Sequence, residues 1–398
     1  MYRNTMRKRS FGSGRSSFSR SNRFSGGGKN FSQHIDSNRY VRHAVPIIEH
    51  EVLSTMVFES LPINPRLKSN IHGKGYRNLT PIQEKLILPI LEGRDVIGMA
   101  NTGTGKTGAF LIPLIERTVQ VATKITLILV PTRELAFQVN AELQEFSAML
   151  HMRSALCIGG ESIHRQMSML REHPQFIIGT PGRMLDLLKR RALSVTAIGF
   201  FVLDEVDRML DMGFVNDIKN IIRDMPAEKQ SLFFSATMSS TINSLAHSFM
   251  RDPLTVSVVT RETAENVEQN VVRVQGEEGK LGTLSTMLTQ PEFKKVLIFG
   301  RTKHGVERLS KTLQAKGFKA ASIHGNKQQN ARARAIKAFK EDMIRVLVAT
   351  DVAARGLDIP DITHVINYDE PATYEDYIHR IGRTGRGNQL GNALTFIG

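Results

Sequence analysis

The sequence is poor in cysteine and in long apolar runs. Its 398 residues include one cysteine, Cys157, which excludes an internal disulfide and leaves no cysteine cluster for a metal. The longest apolar runs, such as residues 125–130, are far shorter than a bilayer-spanning helix, and no apolar core follows the basic N-terminus as a secretory signal requires. We therefore predict a soluble, cytoplasmic protein with no membrane partner.

Acidic residues are also scarce, and the imbalance is concentrated near the N-terminus. The chain has 38 Asp and Glu against 53 Lys and Arg, a formal net charge of +15. Within residues 1–44 the one acid is Asp36. A basic balance favours a polyanionic partner, but by itself it does not distinguish nucleic acid from anionic lipid.

Residues 1–44 are rich in Ser, Gly, Arg and Asn, a composition that predicts a disordered basic tail. Phenylalanines recur every six or seven residues between the arginines, a spacing that suits intermittent stacking on bases: Phe11, Phe18, Phe24 and Phe31. A tail that only solubilises the protein is an equal alternative. The Arg and Ser content also fits a transit peptide, although the glycines argue against the amphipathic helix that such a peptide needs.

A glycine-rich loop lies between an apolar run at residues 96–99 and a segment with helical periodicity. In that context the backbone N–H groups of such a loop converge on phosphate at the N-terminus of the helix. Lys106 adds a point charge, and the Thr107 hydroxyl is placed for Mg²⁺. The loop residues predicted to bind a nucleotide are Thr102, Gly103, Thr104, Gly105, Lys106 and Thr107.

Short apolar runs alternate with helical segments along the rest of the chain, which predicts an α/β fold. In the first domain, residues 45–258, strands are predicted at 96–99, 126–130, 155–158, 176–178, 200–203, 231–234 and 254–258. A polar stretch at 259–268 is the predicted linker. In the second domain, residues 269–398, strands are predicted at 271–274, 296–299, 320–323, 346–349 and 364–366. Each domain should be a parallel sheet with helices on both faces, and only the first has a phosphate loop.

Two adjacent acids follow the apolar run at residues 200–203. Ligands of open α/β sheets bind beyond the carboxyl ends of the strands, so both acids are expected to face the phosphates. Asp204 would hold Mg²⁺, partly through water, and Glu205 would polarise the attacking water.

Further short motifs occur in both domains. They are Thr-Pro-Ile-Gln at 80–83, Pro-Thr-Arg-Glu-Leu-Ala at 131–136, Thr-Pro-Gly-Arg at 180–183, Asp-Glu-Val-Asp at 204–207, Ser-Ala-Thr at 235–237 and His-Arg-Ile-Gly-Arg-Thr-Gly-Arg at 379–386. In their order the motifs resemble those of the DEAD-box ATP-dependent RNA helicases of superfamily 2. The resemblance implies two RecA-like domains, ATP and Mg²⁺ as cofactors, and RNA-stimulated ATP hydrolysis coupled to domain closure. It also implies local unwinding of short RNA duplexes and remodelling of RNA–protein complexes.

The resemblance also implies roles for individual residues. Gln83 would read the edge of the adenine and Phe58, with Tyr76, its face, while Asp358 would meet the ribose. Arg383 and Arg386 would reach the γ-phosphate only when the domains close. The expected RNA contacts are Thr132, Arg133, Gly160, Thr180, Arg183, Arg301, Gly325, Arg332 and Thr350. The residues expected to couple ATP to RNA are Asp207, Ser235, Thr237 and Arg380.

The chain departs from the family pattern at Val206, where alanine is usual, and overpacking there could cost roughly 1–3 kcal/mol. We expect hydrolysis to survive, but an RNA clamp with impaired turnover and a DNA translocase are the rival interpretations. Residues 208–214 and the His-Gly-Asn motif at 324–326 resemble the bacterial RhlE-type subgroup. The resemblance leads us to expect a monomer, with the ribosome or the RNA-degradation machinery as candidate partners.

Overall fold

A computed structural model describes residues 36–44, 54–101, 103–121, 123–258, 266–354, 359–385 and 389–398. Within these ranges the chain forms two α/β domains, each built on one parallel sheet, as the sequence predicts. No helix in the described part of the chain is both long and apolar enough to span a membrane.

The first domain contains a seven-stranded sheet among the described residues, with the strand order β3-β4-β2-β5-β6-β1-β7. Its strands are β1 (Val96–Ala100), β2 (Ile125–Leu129), β3 (Ser154–Cys157), β4 (Phe176–Gly179), β5 (Ile198–Leu203), β6 (Gln230–Ser235) and β7 (Leu254–Val258). Its helices are α1 (Pro65–Gly73), α2 (Pro81–Leu91), α3 (Lys106–Gln120), α4 (Arg133–Phe146), α5 (Ile163–Arg171), α6 (Pro181–Lys189), α7 (Val206–Asp211), α8 (Val215–Arg223) and α9 (Ser240–His247).

The second domain contains a six-stranded sheet in the described ranges, with the order β10-β11-β9-β12-β13-β8. Its strands are β8 (Val267–Arg273), β9 (Val296–Phe299), β10 (Ala320–Ile323), β11 (Val346–Ala349), β12 (His364–Asn367) and β13 (Gly391–Ile397). Its helices are α10 (Gly276–Thr289), α11 (Lys303–Ala315), α12 (Gln329–Lys340), α13 (Asp351–Ala354) and α14 (Tyr374–Ile381).

Strand β5 illustrates why the predicted strands read as continuous apolar runs. Every residue of β5 is buried, because helices cover both faces of the sheet. Phe200 and Val202 pack into the core on one face, while Phe201 and Leu203 pack into the core on the other. Because all the strand pairs are parallel, the residues that follow the strands collect at one edge of each sheet.

The predicted tail and linker both extend too far. Asp36–Ala44 was predicted to be disordered, but it lies against the second domain, with a 3₁₀ helix at Ser37–Tyr40 and a fully buried Tyr40 ring. Composition misled here because one buried aromatic residue anchors an otherwise polar stretch. The linker was predicted to end at residue 268, but β8 begins at Val267, where it pairs with Gly391 of β13. As an edge strand, β8 tolerates polar residues, so its first half did not read as a strand. Residues 1–35 and 259–265 lie outside the described ranges.

Candidate nucleotide and RNA site

The glycine-rich loop joins β1 to the N-terminus of α3. Gly103 and Gly105 both have φ of +91°, a region that favours glycine. Lys106 begins α3, is 7% exposed, and donates from Nζ to the carbonyl oxygen of Ala100 at 2.8 Å. The Thr104 hydroxyl donates to the carbonyl oxygen of Asn101 at 2.9 Å. The loop therefore holds the Lys106 ammonium inward, at the place predicted for the phosphates.

Gln83 lies directly beneath this loop. Its Nε2 donates to the carbonyl oxygen of Gly105 at 3.1 Å, and its Oε1 accepts from the Thr80 N–H at 2.9 Å. A Cβ on Gly105 would stand 2.7 Å from Gln83 Nε2 and 2.9 Å from the Thr80 hydroxyl, so this position has no room for a side chain. Gln83 thus links the start of α2 to the phosphate loop, and its role in reading adenine stays a prediction.

Two aromatic rings lie in the segment of the first domain that precedes Gln83. Phe58 is 4% exposed and stacks on Tyr76, with ring centroids 6.5 Å apart and an interplanar angle of 24°. Tyr76 is 38% exposed, so it presents more open ring surface than Phe58 does. We therefore expect Tyr76 to contribute at least as much as Phe58 to adenine stacking.

Asp204 and Glu205 follow β5, as predicted, and both are buried. The Asp204 carboxylate accepts from the Glu205 N–H at 2.9 Å, while its own N–H donates to the Leu129 carbonyl oxygen at the end of β2. Burial raises the pKa of the Asp204 carboxyl well above its ordinary value, and the nearby Lys106 ammonium opposes that shift. Glu205 adopts a left-handed backbone conformation, with φ of +54°, and its carboxylate pairs with the Arg208 guanidinium at 2.6 Å.

Asp207 connects this acidic turn to the end of β6. Its Oδ2 accepts from the N–H groups of Ala236 at 3.0 Å and Thr237 at 3.2 Å. Ser235 is fully buried in β6 beside them. These bonds join α7 to the Ser-Ala-Thr motif, the contact that a coupling role for Asp207, Ser235 and Thr237 requires. Val206 is fully buried in the core on that face of the sheet.

The residues of the first domain that were predicted to contact RNA follow β2, β3 and β4. Thr132 caps α4 by accepting from the Leu135 N–H, and Thr180 precedes α6. The Arg133 guanidinium lies over Gly160, where an added Cβ would stand 2.1 Å from its Nη1. Arg183 donates to the Gln166 side chain at 2.8 Å and to the Glu161 carbonyl oxygen at 3.2 Å. The structure brings these residues to one edge of the sheet.

The corresponding residues of the second domain follow β9, β10 and β11. Arg301 and Gly325 are exposed, and Thr350 is half-buried at the start of α13. Arg380 is 2% exposed and makes a two-pronged ion pair with Asp351, at 2.5 Å and 2.8 Å. Its Nη1 also donates to the Asp369 carbonyl oxygen at 2.7 Å. Arg380 therefore binds α14 to the end of β11 inside this domain, which is how it would transmit a change at one motif to the other.

Arg383 follows α14 and is 5% exposed. Its N–H donates to the Arg380 carbonyl oxygen at 3.1 Å, and its side chain helps to line a small space with Asp351 and His379. Its contact with the γ-phosphate stays a prediction. Three other predicted site residues lie outside the described ranges: Thr102, Asp358 and Arg386.

Arg332 lies at a contact between the two domains. Its guanidinium pairs with the Glu134 carboxylate at 2.8 Å, and both side chains are 7% exposed. The Gln329 side chain donates to the same carboxylate at 3.3 Å. Burial lowers the pKa of Arg332, and the charge of Glu134 opposes that shift. The described partner of Arg332 is thus a residue of α4 next to Arg133, and its predicted RNA contact is untested.

Sequence reasoning overlooked Glu307 on α11. Its Oε2 accepts from the Ser322 hydroxyl at 2.6 Å, from His324 Nε2 at 3.1 Å and lies 3.4 Å from the Lys327 ammonium. These hydrogen bonds lower the pKa of Glu307 to about 2. Glu307 thereby organises the loop that carries Gly325. Neither motif nor spacing signalled it, because a single glutamate on a polar helix resembles an ordinary solvated residue.

Glu307→Gln should destabilise the second domain near neutral pH. A carboxyl whose pKa is lowered by folding stabilises the folded state above its ordinary pKa, and that contribution is lost as the pH falls toward 2. The side chain is one-third exposed, so we expect a loss of only about 1 kcal/mol at pH 7. Thermal melting at pH 7, 5 and 3 would test this, because the difference from the parent should shrink as the pH falls. Glu341→Gln, in the exposed pair with Lys337, is the control. A difference that stayed constant with pH would refute this role for the charge.

The predicted magnesium site agrees with the donor groups that the structure provides. A buried carboxylate, Asp204, lies near a single lysine, and the half-buried Thr107 is in the first turn of α3. In the described ranges no group of three or more His, Cys, Asp or Glu forms a protein cage for a metal. Mg²⁺ is commonly held by one or two protein groups together with water and substrate phosphates. Asp204 and Thr107 fit that arrangement.

Lys106→Ala should remove most of the nucleotide affinity. A hydrogen bond from a charged group contributes about 1.5–3 kcal/mol, which corresponds to a loss of about tenfold to a hundredfold. Titration of a fluorescent ADP analogue would measure it, with Lys85→Ala on the exposed face of α2 as the control. Unchanged affinity in Lys106→Ala would contradict the assignment of the phosphate loop.

Fold and site together define a class of protein: a nucleotide-dependent enzyme of two RecA-like domains, with the phosphate loop in the first and a buried contact between the domains at Glu134 and Arg332. Family models agree, because the DEAD/DEAH box helicase model matches residues 80–245 and the helicase conserved C-terminal domain model matches residues 279–388. The chain belongs to the DEAD-box family of ATP-dependent RNA helicases.

Individual relatives are consistent with this membership. The chain is 45% identical over 342 residues to the ATP-dependent RNA helicase CshA of Listeria monocytogenes, covering 85% of this chain and 66% of that protein. It is 44% identical over 345 residues to CshA of Bacillus subtilis, covering 86% of this chain and 70% of that protein. The chain thus spans about two thirds of the length of these relatives.

Solved structures share the two-domain fold to different degrees. Mss116p bound to single-stranded RNA and AMP-PNP superposes with a TM-score of 0.78 at 29% identity, covering 89% of this chain and 77% of that one. Saccharomyces cerevisiae Dbp5 bound to RNA and ADP BeF3 gives a TM-score of 0.73 at 31% identity, covering 86% of this chain and 89% of that one. A point variant of Dbp5 bound to Nup159, a Gle1 variant, IP6 and ADP gives 0.57 at 30% identity, covering 84% and 88%.

Proposed function

We propose that this chain hydrolyses ATP when RNA holds its two domains together, and that closure of the domains bends one RNA strand out of a short duplex. The observation that carries the proposal is the buried pair of Glu134 and Arg332, which joins the domains beside residues of two RNA motifs. The similarity to Dbp5 supports the same view. The chain superposes better on Dbp5 bound to RNA and ADP BeF3 than on the Dbp5 variant bound to Nup159, the Gle1 variant, IP6 and ADP.

The residues divide the reaction between them. The loop around Lys106 would hold the phosphates, and Glu205 would orient and polarise the attacking water. Bound Mg²⁺ would supply neutralisation of phosphate charge at Asp204 and Thr107. Arg383 and Arg386 would stabilise charge on the γ-phosphate once the domains close.

The RNA contacts would be largely independent of sequence. Loop hydroxyls, glycine amides and arginines suit phosphate and sugar groups, which carry little base information. Arg133 and Gly160 in the first domain, and Gly325 and Thr350 in the second, are the groups we assign to this contact. Preference for RNA over DNA would then depend on the 2′-hydroxyl.

A steady-state ATPase assay with and without RNA tests the proposal. We expect phosphate release to rise strongly with single-stranded RNA and less with DNA of the same sequence. Equal stimulation by DNA would favour a translocase that acts on DNA. Retention on RNA with negligible turnover would favour an RNA clamp, in which the buried Val206 has impaired hydrolysis.

The finer assignments rest on the sequence. Residues 208–214 and 324–326 support a place in the RhlE-type subgroup, whereas the relatives compared above are named CshA. A monomeric state and partners in the ribosome or the RNA-degradation machinery are proposals that follow from the family, and a cytoplasmic location is a proposal that rests mainly on the single cysteine.

A further inference from the structure

A short N-terminal segment, Asp36–Ala44, is fastened to the second domain; we call it the strap. Arg42 forms an antiparallel bridge to Gln269 of β8, with N–H to carbonyl distances of 3.0 Å and 2.8 Å. The Glu268 carboxylate accepts from the Ala44 N–H at 2.7 Å and lies 2.9 Å from His43 Nδ1. The strap thus covers the open edge of the sheet at β8.

The aromatic part of the strap packs on α14. Tyr40 is fully buried, with its ring centroid 4.7 Å from that of Tyr377. The Arg39 guanidinium lies 4.0 Å above the Tyr374 ring. The Tyr377 hydroxyl in turn donates to the side chain of Gln269 at 3.0 Å, so the strap, β8 and α14 form one packed unit.

Helix α14 leads directly into the motif expected to act on ATP. Tyr40 and Tyr377 share an apolar cluster with Ile381, the last residue of the helix. Arg383 follows two residues later and bonds through its N–H to the Arg380 carbonyl oxygen. The packing around Tyr40 therefore contacts the end of α14, which Arg383 follows.

We propose that Tyr40 is a positioning residue for the ATPase reaction: through Tyr377 and Ile381 it holds the end of α14 so that Arg383 reaches the γ-phosphate in the correct geometry. This inference rests on the proposed function of Arg383. Arginine fingers contribute by placement of charge, so a displacement of about 1 Å can cost on the order of a hundredfold in rate. In this role the strap acts on the ATPase reaction through Arg383.

RNA-stimulated ATPase kinetics of the full chain test the inference. Tyr40→Ala should lower kcat about tenfold to a hundredfold, with the KM for ATP and for RNA unchanged. Tyr40→Phe should behave as the parent, because the Tyr40 hydroxyl is buried and makes no hydrogen bond to any described residue. Val41→Ala, at the neighbouring position that is 51% exposed, is the matched control and should also leave kcat unchanged.

A double variant separates positioning from mere structural support. If Tyr40 acts through Arg383, then Tyr40→Ala should have almost no further effect in an Arg383→Ala background. If the two fold-decreases in kcat multiplied in the double variant, the inference would be wrong, because that result would indicate a general loss of folded enzyme. Arg39→Ala removes only the contact with Tyr374 on an exposed side chain; it should lower kcat about threefold without loss of folding, and an unchanged kcat there would also count against the inference.

The ATPase activity of the parent enzyme distinguishes failure of the proposed function from failure of the inference about Tyr40. If the parent enzyme had no RNA-stimulated ATPase activity, both the proposed function and this inference would be wrong. If the parent enzyme were active and the Tyr40→Ala variant had the same kcat, only the inference about Tyr40 would be wrong.

Discussion

Glu205→Gln should abolish ATP turnover while leaving ATP and RNA binding intact. A positioned carboxylate that activates water contributes about a hundredfold to ten-thousandfold, so kcat should fall at least a hundredfold. Glutamine has the same shape, and its side-chain oxygen can still accept from the Arg208 guanidinium that now lies 2.6 Å away, so the site should keep its geometry even though loss of this buried ion pair lowers the free energy of unfolding. Retained binding is expected because the phosphate loop and the RNA motifs are untouched.

Phosphate release under saturating ATP and RNA would measure turnover, and a fluorescent nucleotide with labelled RNA would measure binding. Glu84→Gln, on the exposed side of α2, is the control for the charge change. If Glu205→Gln hydrolysed ATP at the parental rate, another group would have to activate the water.

The second large effect is expected at the contact between the domains. Removing one partner of a buried charge pair costs about 2–5 kcal/mol, so either Glu134→Gln or Arg332→Met should weaken RNA binding in the presence of a non-hydrolysable ATP analogue. The Glu134→Gln and Arg332→Met double variant should lose less than the sum of the two single variants, because neither charge is then buried alone. Nucleotide binding without RNA should be unaffected.

The same single and double variants also distinguish two roles for Arg332. The structure pairs it with Glu134, whereas the resemblance assigns it to RNA. If Arg332 acts mainly on RNA, Glu134→Gln should leave binding unchanged and the two effects should add. Arg334→Met, two residues along α12 and exposed, is the control.

The site within each domain was predictable because its residues are local to strands. Lys106, Asp204 and Glu205 each follow an apolar run, and in a parallel sheet the ends of such runs meet at one edge. The sequence distance between the loop and the two acids therefore did not matter. Composition and motif order were sufficient for the fold class, whereas the roles of the ATP residues in the first domain stay predictions.

Contacts between separate elements were not predictable in the same way. Gln329 and Glu134 are 195 residues apart, and nothing in the local pattern of either segment indicates that they meet. Tyr40 lies in a stretch whose polar composition predicts disorder, yet its ring packs on Tyr377 of α14, and backbone bonds to Gln269 hold the same stretch on β8. Glu307 on α11 stabilises the loop at His324 through hydrogen bonds that exist only in the folded chain.

The strap changes how the domains are connected. Within the described residues, the chain contacts the second domain at Asp36–Ala44, then forms the first domain, and returns to the second domain at β8. The first domain is thus, in effect, an insertion whose two ends both start from the same sheet edge, where Arg42 lies beside Gln269. A single cut in residues 259–265 would leave the N-terminal fragment attached to the second domain through Tyr40. The two halves would then stay together as a non-covalent pair.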